Sequence, residues 1–382
     1  MNNFILENRP KIFFGKNQIQ NLEKEVLLYK NILLVYGQGS IKKNGIYSEV
    51  KNQLINKNII DLPGITPNPR ITDVKKGIKL CQEHDVDFIL AIGGGSVIDC
   101  AKAIALGACH EENIWDIIVK KCEVNKALPL GTIPTMIATG SETNDIFVIL
   151  NDEINLKRSL KTGYTYPKFT IMDPTYTLTI NRRQTVNGIV DTLSHLLEQY
   201  INTDTNEIID HQILTMFKDM LSIGEQLINN LDNYELRAKH MYLAMTGYNG
   251  DYRTIVGGDW ACHGMDYGLA SKFNNYHGEG LAIIMPNWLE YVSNNYDNTT
   301  KVKSLLQGAF GQSDVFQNIM NFRNYLNKIG APLKYSEIQD KEIEITPEIL
   351  TEMIHKAQFT KPLGGTIPLT EADIKKIYLM GE

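Results

Sequence analysis

Asp87-Phe88-Ile89-Leu90-Ala91-Ile92-Gly93-Gly94-Gly95-Ser96-Val97-Ile98-Asp99 is the stretch on which the reading of the fold turns. Its apolar run predicts a buried strand, and Ser96 to Gly107 carries a helical pattern. Three glycines separate the two. Such a turn lets the backbone approach a pyrophosphate, and the helix start offers unpaired N–H groups and a positive dipole end. Ser96 adds a hydroxyl donor. Asp99 is read as fixing the loop or bonding a cofactor hydroxyl. A plain glycine-rich turn of an α/β domain would look the same.

Outward from this motif, further strands are predicted at Asn31–Tyr36, Leu128–Ile133 and Lys168–Met172, and a helix at Thr72–Glu83. Strand and helix in alternation imply a parallel sheet covered on both faces. After Asp173-Pro174 the texture changes. Asp204–Asn229, Tyr234–Asn249 and Ser313–Ile329 fit the helical period. The expected division is a dinucleotide-binding α/β domain over 1–178 and a helical domain over 179–382.

Two other segments belong to the carboxyl edge of the expected sheet. Tyr36-Gly37-Gln38-Gly39-Ser40 follows the first strand, and no carboxylate closes it. A carboxylate there would favour an unphosphorylated adenosine ribose. Gly39 and Ser40 leave room and a donor, and Lys42-Lys43 supply positive charge, so NADP(H) is expected over NAD(H). Thr135, Thr139 and Asn144 add hydroxyls and an amide, and Lys157 is within sequence reach of a ribose hydroxyl. For a polar loop and an isolated lysine, each has an ordinary reading too.

In the second half, Asp191 and His195 stand four apart in a helical stretch and share one face. His263 and His277 stand fourteen apart in a Gly-containing stretch ending His277-Gly278-Glu279-Gly280. One carboxylate and three imidazoles suit a first-row divalent metal. Spacing alone leaves an i,i+4 ion pair open. The other histidines, among them His84 and His240, lack comparable context.

Bulk properties exclude more than they assign. The chain has 382 residues, enough for two cores, and a formal net charge of −6 that gives no reason to expect nucleic acid. Five cysteines without CxxC spacing fit a reducing cytoplasm. Met1–Pro10 does not read as a signal peptide, and no apolar run reaches the roughly 18 residues needed to span a bilayer. No membrane partner is expected.

Taken together these motifs resemble the iron-containing alcohol dehydrogenases, nearest the butanol dehydrogenase and NADPH-dependent aldehyde reductase branch. The resemblance runs nearly end to end. It includes Gly37–Gly45, Pro67-Asn68-Pro69, Gly93–Asp99, Thr139-Gly140-Ser141-Glu142, Met172-Asp173-Pro174, Asn187–Asp191, Gly258–His263 and His277-Gly278. It implies a Rossmann-like N-terminal domain plus an all-α C-terminal domain, the fold shared with dehydroquinate synthase. It implies that Asp191, His195, His263 and His277 bind Fe(II), in some members Zn(II). Gly94, Gly95 and Ser96 would hold the pyrophosphate, with Gly37, Gly39, Ser40, Asn68, Pro69 and Asp99 in the same cofactor set. Thr135, Thr139 and Asn144 would line the nicotinamide side, and Lys157 would meet its ribose. A homodimer is implied as well.

One position departs from the family pattern. Many members carry a histidine four residues after the third ligand, linked to proton relay, and this chain has Tyr267. A tyrosine can pass a hydrogen bond, but its reference pKa of about 10 makes it a poorer shuttle near neutral pH. The implied reaction is hydride transfer between a nicotinamide and an alcohol or aldehyde. A glycerol dehydrogenase-like enzyme, a dehydroquinate synthase-like lyase and a non-catalytic NADP-binding sensor are the alternatives.

Overall fold

The computed structural model describes Phe4 and residues 10–203, 206–357 and 362–382. Most of Met1–Pro10, and Asp204 with Thr205 at the start of the expected 204–229 helix, lie outside the described residues.

Continuous burial of its central strands marks the sheet. The strands are β1 (Lys11–Phe14), β2 (Asn31–Gly37), β3 (Asn58–Ile65), β4 (Phe88–Gly93), β5 (Leu130–Pro134), β6 (Ile146–Asn151), β7 (Leu156–Lys161) and β8 (Phe169–Met172). Six of them form one parallel sheet in the order β1-β8-β5-β4-β2-β3. Ile32, Leu34 and Tyr36 of β2 share a core with Phe88, Leu90 and Ile92 of β4 on one face. Leu33, Val35, Ile89 and Ala91 point to the other face and meet Ile98, Ala101 and Ile104 of the helix Gly95–Gly107. The period of two along each strand makes both faces apolar, as a doubly covered parallel sheet requires. The remaining strands, β6 and β7, form an antiparallel hairpin.

The strand order contains a switch point. From β2 the chain goes to β3 on one side, then returns to place β4 on the other side of β2. The carboxyl ends of β2 and β4 therefore flank the crevice where ligands of doubly wound sheets bind. Gln38-Gly39 follows one and Gly94-Gly95 the other.

Four strands escape the sequence reading. β1 is only four residues long. β3 contains Asp61, Pro63 and Gly64, which its edge position tolerates. The hairpin strand β7 is half cationic, Leu156-Lys157-Arg158-Ser159-Leu160-Lys161.

By contact density the chain forms two compact units. One holds the described residues of 10–180 together with Asp232–Gly250. In it the helix Tyr234–Gly247 buries Met241, Ala244 and Met245 with Ile137 and Met172. The other holds the described residues of 181–231 and 251–382 and is helical. Its principal helices are Arg182–Tyr200, Glu207–Asn229, Ala261–Phe273, His277–Asn295, Thr300–Phe310 and Val315–Ile329. Among the described residues no helix is long and apolar enough to cross a membrane.

Candidate functional site

In the helical unit, Arg182–Tyr200 is buried on nearly every side from Thr185 onward, and its N-cap Asn181 accepts the Gln184 N–H at 2.9 Å. Asp191 and His195 fall one turn apart within it. Ala261–Phe273 carries His263, and His277 opens the next helix. The imidazole Nε2 atoms of His195, His263 and His277 lie 3.6, 3.9 and 3.6 Å from Asp191 Oδ1. Donor atoms of Asp191, His195 and His263 all fall within 4.8 Å of one another.

Two glycines permit this approach. A Cβ on Gly278 would stand 2.5 Å from the carbonyl oxygen of Asn187, and one on Gly280 would overlap the Asp266 carboxylate. Any side chain at either position would push the His277 helix away from its neighbours.

The donor set fits a divalent metal. Two donors each about 2.1 Å from a tetrahedral centre lie about 3.4 Å apart, close to the separations seen. Asp191 Oδ1 is buried and accepts no hydrogen bond from the described residues, an arrangement costly without a cation. Burial pushes the His195 imidazole down to about 3, against the pull of Asp191 and with help from His263, His277 and Arg253. It is therefore neutral near pH 7, the form in which a ring nitrogen can ligate.

Carboxylates that sequence reading did not single out hold two of the imidazoles. His263 Nδ1 bonds Glu198, and His277 Nδ1 bonds Asp266. This directs each Nε2 lone pair at the cluster. Glu198 Oε1 also accepts the Cys262 N–H at 2.7 Å. Burial pushes the Glu198 carboxyl up to about 8, opposed by that N–H and by the neighbouring cationic groups. Arg183 Nε donates to Glu279 at 2.6 Å, two residues past His277. Three helices are thus linked in a closed ring: Glu198 to His263, Asp266 to His277, and Glu279 back to Arg183. The visible signal was spacing, since Glu198 and Asp266 each stand three residues after a histidine ligand candidate.

Tyr267 is buried, and its ring centre lies 6.5 Å from that of His277. Cys262 is fully buried, with its thiol pushed well up by burial and by Glu198 and Asp259, which suits core packing and not ligation. Phe147 and Trp288 are fully buried too, and both belong to the cores of their units. A cavity of about 610 Å³ opens beside Arg183, Asn187 and Glu279, and none of the four candidate ligands lines it.

In the sheet unit the chemistry is largely backbone. The helix Gly95–Gly107 starts at Gly94 without a side-chain cap, so its first N–H groups face outward from the turn. A Cβ on Gly95 would overlap the Thr139 side chain. Thr135 N–H donates to Gly93 O at 3.0 Å, and Thr139 Oγ1 accepts the Ser141 N–H at 3.3 Å. The fold thus brings Thr135 and Thr139 against the glycine turn. Asp99 accepts Ser141 Oγ at 2.6 Å and Val148 N–H at 3.0 Å, which makes it a loop anchor. Asn144 is buried. Its Oδ1 accepts from Lys102 Nζ at 3.2 Å and from the Ile146 N–H at 2.9 Å, while its Nδ2 donates to Tyr248 O. Lys102, fully buried, also donates to the Asn144 and Ile146 carbonyls at 2.8 Å. Sequence reading passed over it.

Lys157 Nζ donates to Asn68 Oδ1 at 2.9 Å, and both side chains are buried. Pro69 O accepts the Leu150 N–H at 2.9 Å, tying this segment to the hairpin. After β2, Gly39 has φ 110°, a conformation suited to glycine, and precedes Ser40. Lys42 Nζ lies 5.2 Å and 4.8 Å from the rings of Tyr36 and Tyr47, and Tyr47 Oη donates to Asp61 at 3.0 Å.

The family profile "Iron-containing alcohol dehydrogenase" matches residues 9–174, and its C-terminal counterpart matches residues 185–380. The chain is 40% identical over 370 residues to a probable NADH-dependent butanol dehydrogenase of Bacillus subtilis, covering 93% of this chain and 94% of that one. It is 34% identical to an NADPH-dependent aldehyde reductase of Escherichia coli, over 88% of this chain and 89% of that one. The crystal structure of an NADH-dependent butanol dehydrogenase from Thermotoga maritima superposes with a TM-score of 0.94 at 32% identity, covering 100% of this chain and 99% of the other. These matches favour an alcohol dehydrogenase over the lyase, glycerol dehydrogenase-like and sensor readings. A carboxylate with three converging imidazoles, glycine turns at a sheet switch point and family matches to both halves lead to one conclusion: the chain belongs to the iron-containing alcohol dehydrogenase family and is an oxidoreductase.

Proposed function

We propose that this oxidoreductase interconverts primary alcohols, butanol among them, and their aldehydes, with NADP(H) preferred over NAD(H). The observation that carries this reading is the convergence of three Nε2 atoms on Asp191 Oδ1 within 3.9 Å. Asp191, His195, His263 and His277 would hold Fe(II), with Zn(II) the alternative. When bound, the metal supplies Lewis acidity at the substrate oxygen, and the nicotinamide supplies or takes up hydride.

This chain's own residues then have these proposed tasks. Glu198 and Asp266 keep the Nδ1 protons of His263 and His277 in place. Gly94, Gly95 and Ser96 receive the pyrophosphate. Gly37, Gly39 and Ser40 surround the adenosine end, and Lys42 supports a 2′-phosphate there. Asn68, Pro69 and Lys157 orient a ribose, and Thr135, Thr139 and Asn144 shape the nicotinamide side. Tyr267, beside His277, passes a proton through its hydroxyl. Functionally, 1–178 serves the cofactor and 179–382 the metal. We propose a cytoplasmic homodimer.

The reading is tested by NADPH oxidation with butyraldehyde by metal-stripped protein, before and after anaerobic Fe(II) or added Zn(II). Turnover should return with metal and be faster with NADPH than with NADH. No turnover with either ion and either cofactor overturns it. Faster turnover with NADH overturns the NADP(H) preference alone.

A further inference from the structure

Arg253 lies on the short helix Asp251–Val256, and its guanidinium carbon stands 4.5 Å from the centre of the Trp260 ring. That ring is 5.3 Å from the His263 ring and 6.4 Å from the His195 ring, centre to centre. A cation is therefore carried to the edge of the histidine cluster on an aromatic platform.

The platform is fixed by contacts on both of its flanks, at Gly258-Asp259 and at Ala261. Trp260 has φ 65° and ψ 16°, the left-handed region, which a bulky residue adopts only under strain. Its surroundings enforce this. The Asp259 carboxylate accepts N–H groups of Ala261, Thr366 and Ile367 at 3.1, 3.0 and 2.8 Å. Asp259 N–H donates to Glu198 O at 2.9 Å. Gly258 has φ 131°, and a Cβ on it would stand 2.8 Å from the indole Nε1. Strain is thus maintained at the place that turns the indole, and Arg253 on it, toward the candidate ligands.

An unsubstituted alkyl chain has no use for a guanidinium. A carboxylate does: the planar fork of donors matches its two oxygens, and the indole face fixes the plane of the fork. We infer that Arg253 is a specificity-determining residue that selects short aldehydes and alcohols bearing a terminal anionic group, a carboxylate being the simplest, and binds that group while the reacting carbon lies at the histidine cluster. This rests on the alcohol dehydrogenase reading and narrows its substrate class.

Butyraldehyde and succinic semialdehyde form a matched pair: four carbons each, the second ending in carboxylate. In the wild-type protein kcat/KM for succinic semialdehyde should equal or exceed that for butyraldehyde. Arg253→Met should lower the ratio of the two about 10- to 100-fold, the range of a hydrogen bond between charged groups. Arg253→Lys, which keeps the charge and loses the fork, should fall between. Arg253→Gln repeats the test if the Met variant fails to fold. An unmoved ratio overturns the inference, since a merely structural arginine would affect both substrates alike. If neither aldehyde turns over, the dehydrogenase reading fails, and calorimetric titration of succinate into the Zn(II)-loaded protein decides this one. Binding weakened by Arg253→Met supports it, and equal binding in both proteins overturns it.

Discussion

The helical unit and the sheet unit build their sites from different material. Around Asp191 the chemistry is side chains: one carboxylate, three imidazoles and two further carboxylates that hold the rings. At the switch point of the sheet it is backbone, a glycine turn and a helix start, with Thr139 filling the space a side chain on Gly95 would need. The first depends on convergence of residues from three helices. The second depends on one local strand-turn-helix unit. Damage to the two should therefore separate cleanly.

The largest effect is expected for His263→Ala. Metal content by mass spectrometry and aldehyde reduction should fall together, the latter at least about 10³-fold, the scale of losing a Lewis acid. Full occupancy with lost activity would contradict the ligand assignment. Next in size is Gly95→Val. Thr139 must move, and the KM for NADPH should rise about 10- to 100-fold, because pyrophosphate binding there depends on close backbone approach. Metal content should hold. A parallel loss of metal would mean that the two sites are not separable.

Glu198→Gln probes the support of the cluster. It keeps the shape and leaves one acceptor oxygen for the two partners that Glu198 serves, the Cys262 N–H and His263 Nδ1, so metal affinity should weaken about 10- to 100-fold under chelator challenge. An unchanged chelation curve would reduce Glu198 to packing.

The smallest effect belongs to a control in the helical unit. Asp373 is pushed up by burial, yet hydrogen bonds from Thr370, Tyr291 and Tyr296 outweigh this and hold it below its ordinary value of 3.8. A lowered folded pKa contributes stability that is present above 3.8 and lost as pH falls through the folded value. Asp373→Asn should cost about 1 kcal/mol at pH 7 in urea unfolding, and the gap to wild type should close below pH 4. Neither metal nor cofactor affinity should change. A gap independent of pH would show that packing, not charge, holds this helix start.

Local chemistry made the sheet unit legible. The run from Phe88 to Ile92, the glycines after it and the helix to Gly107 all agree with the reading of a single stretch. β3 was not legible, because Asp61, Pro63 and Gly64 break the pattern and only the neighbouring β2 makes a strand of it. The helix Tyr234–Gly247 was legible as a helix, but not its grouping with the sheet unit, which rests on contacts of Met241 and Met245 with residues far away in sequence.

For the sites the division is sharper. The sequence by itself determined residue type and helical spacing, Asp191 with His195 and the glycines at 278 and 280, because a helix repeats every 3.6 residues whatever surrounds it. It also carried the family signature across both halves. The family signature implied that His263 and His277 join Asp191; only the tertiary structure decided how closely they meet, that Glu198 and Asp266 hold them, and that Arg253 rests on Trp260 beside them. These contacts join residues separated by up to 86 positions and span several helices, as with Asp191 and His277. Their distances are set by close packing at Gly278 and Gly280 and by a left-handed turn at Trp260, and no local pattern encodes either.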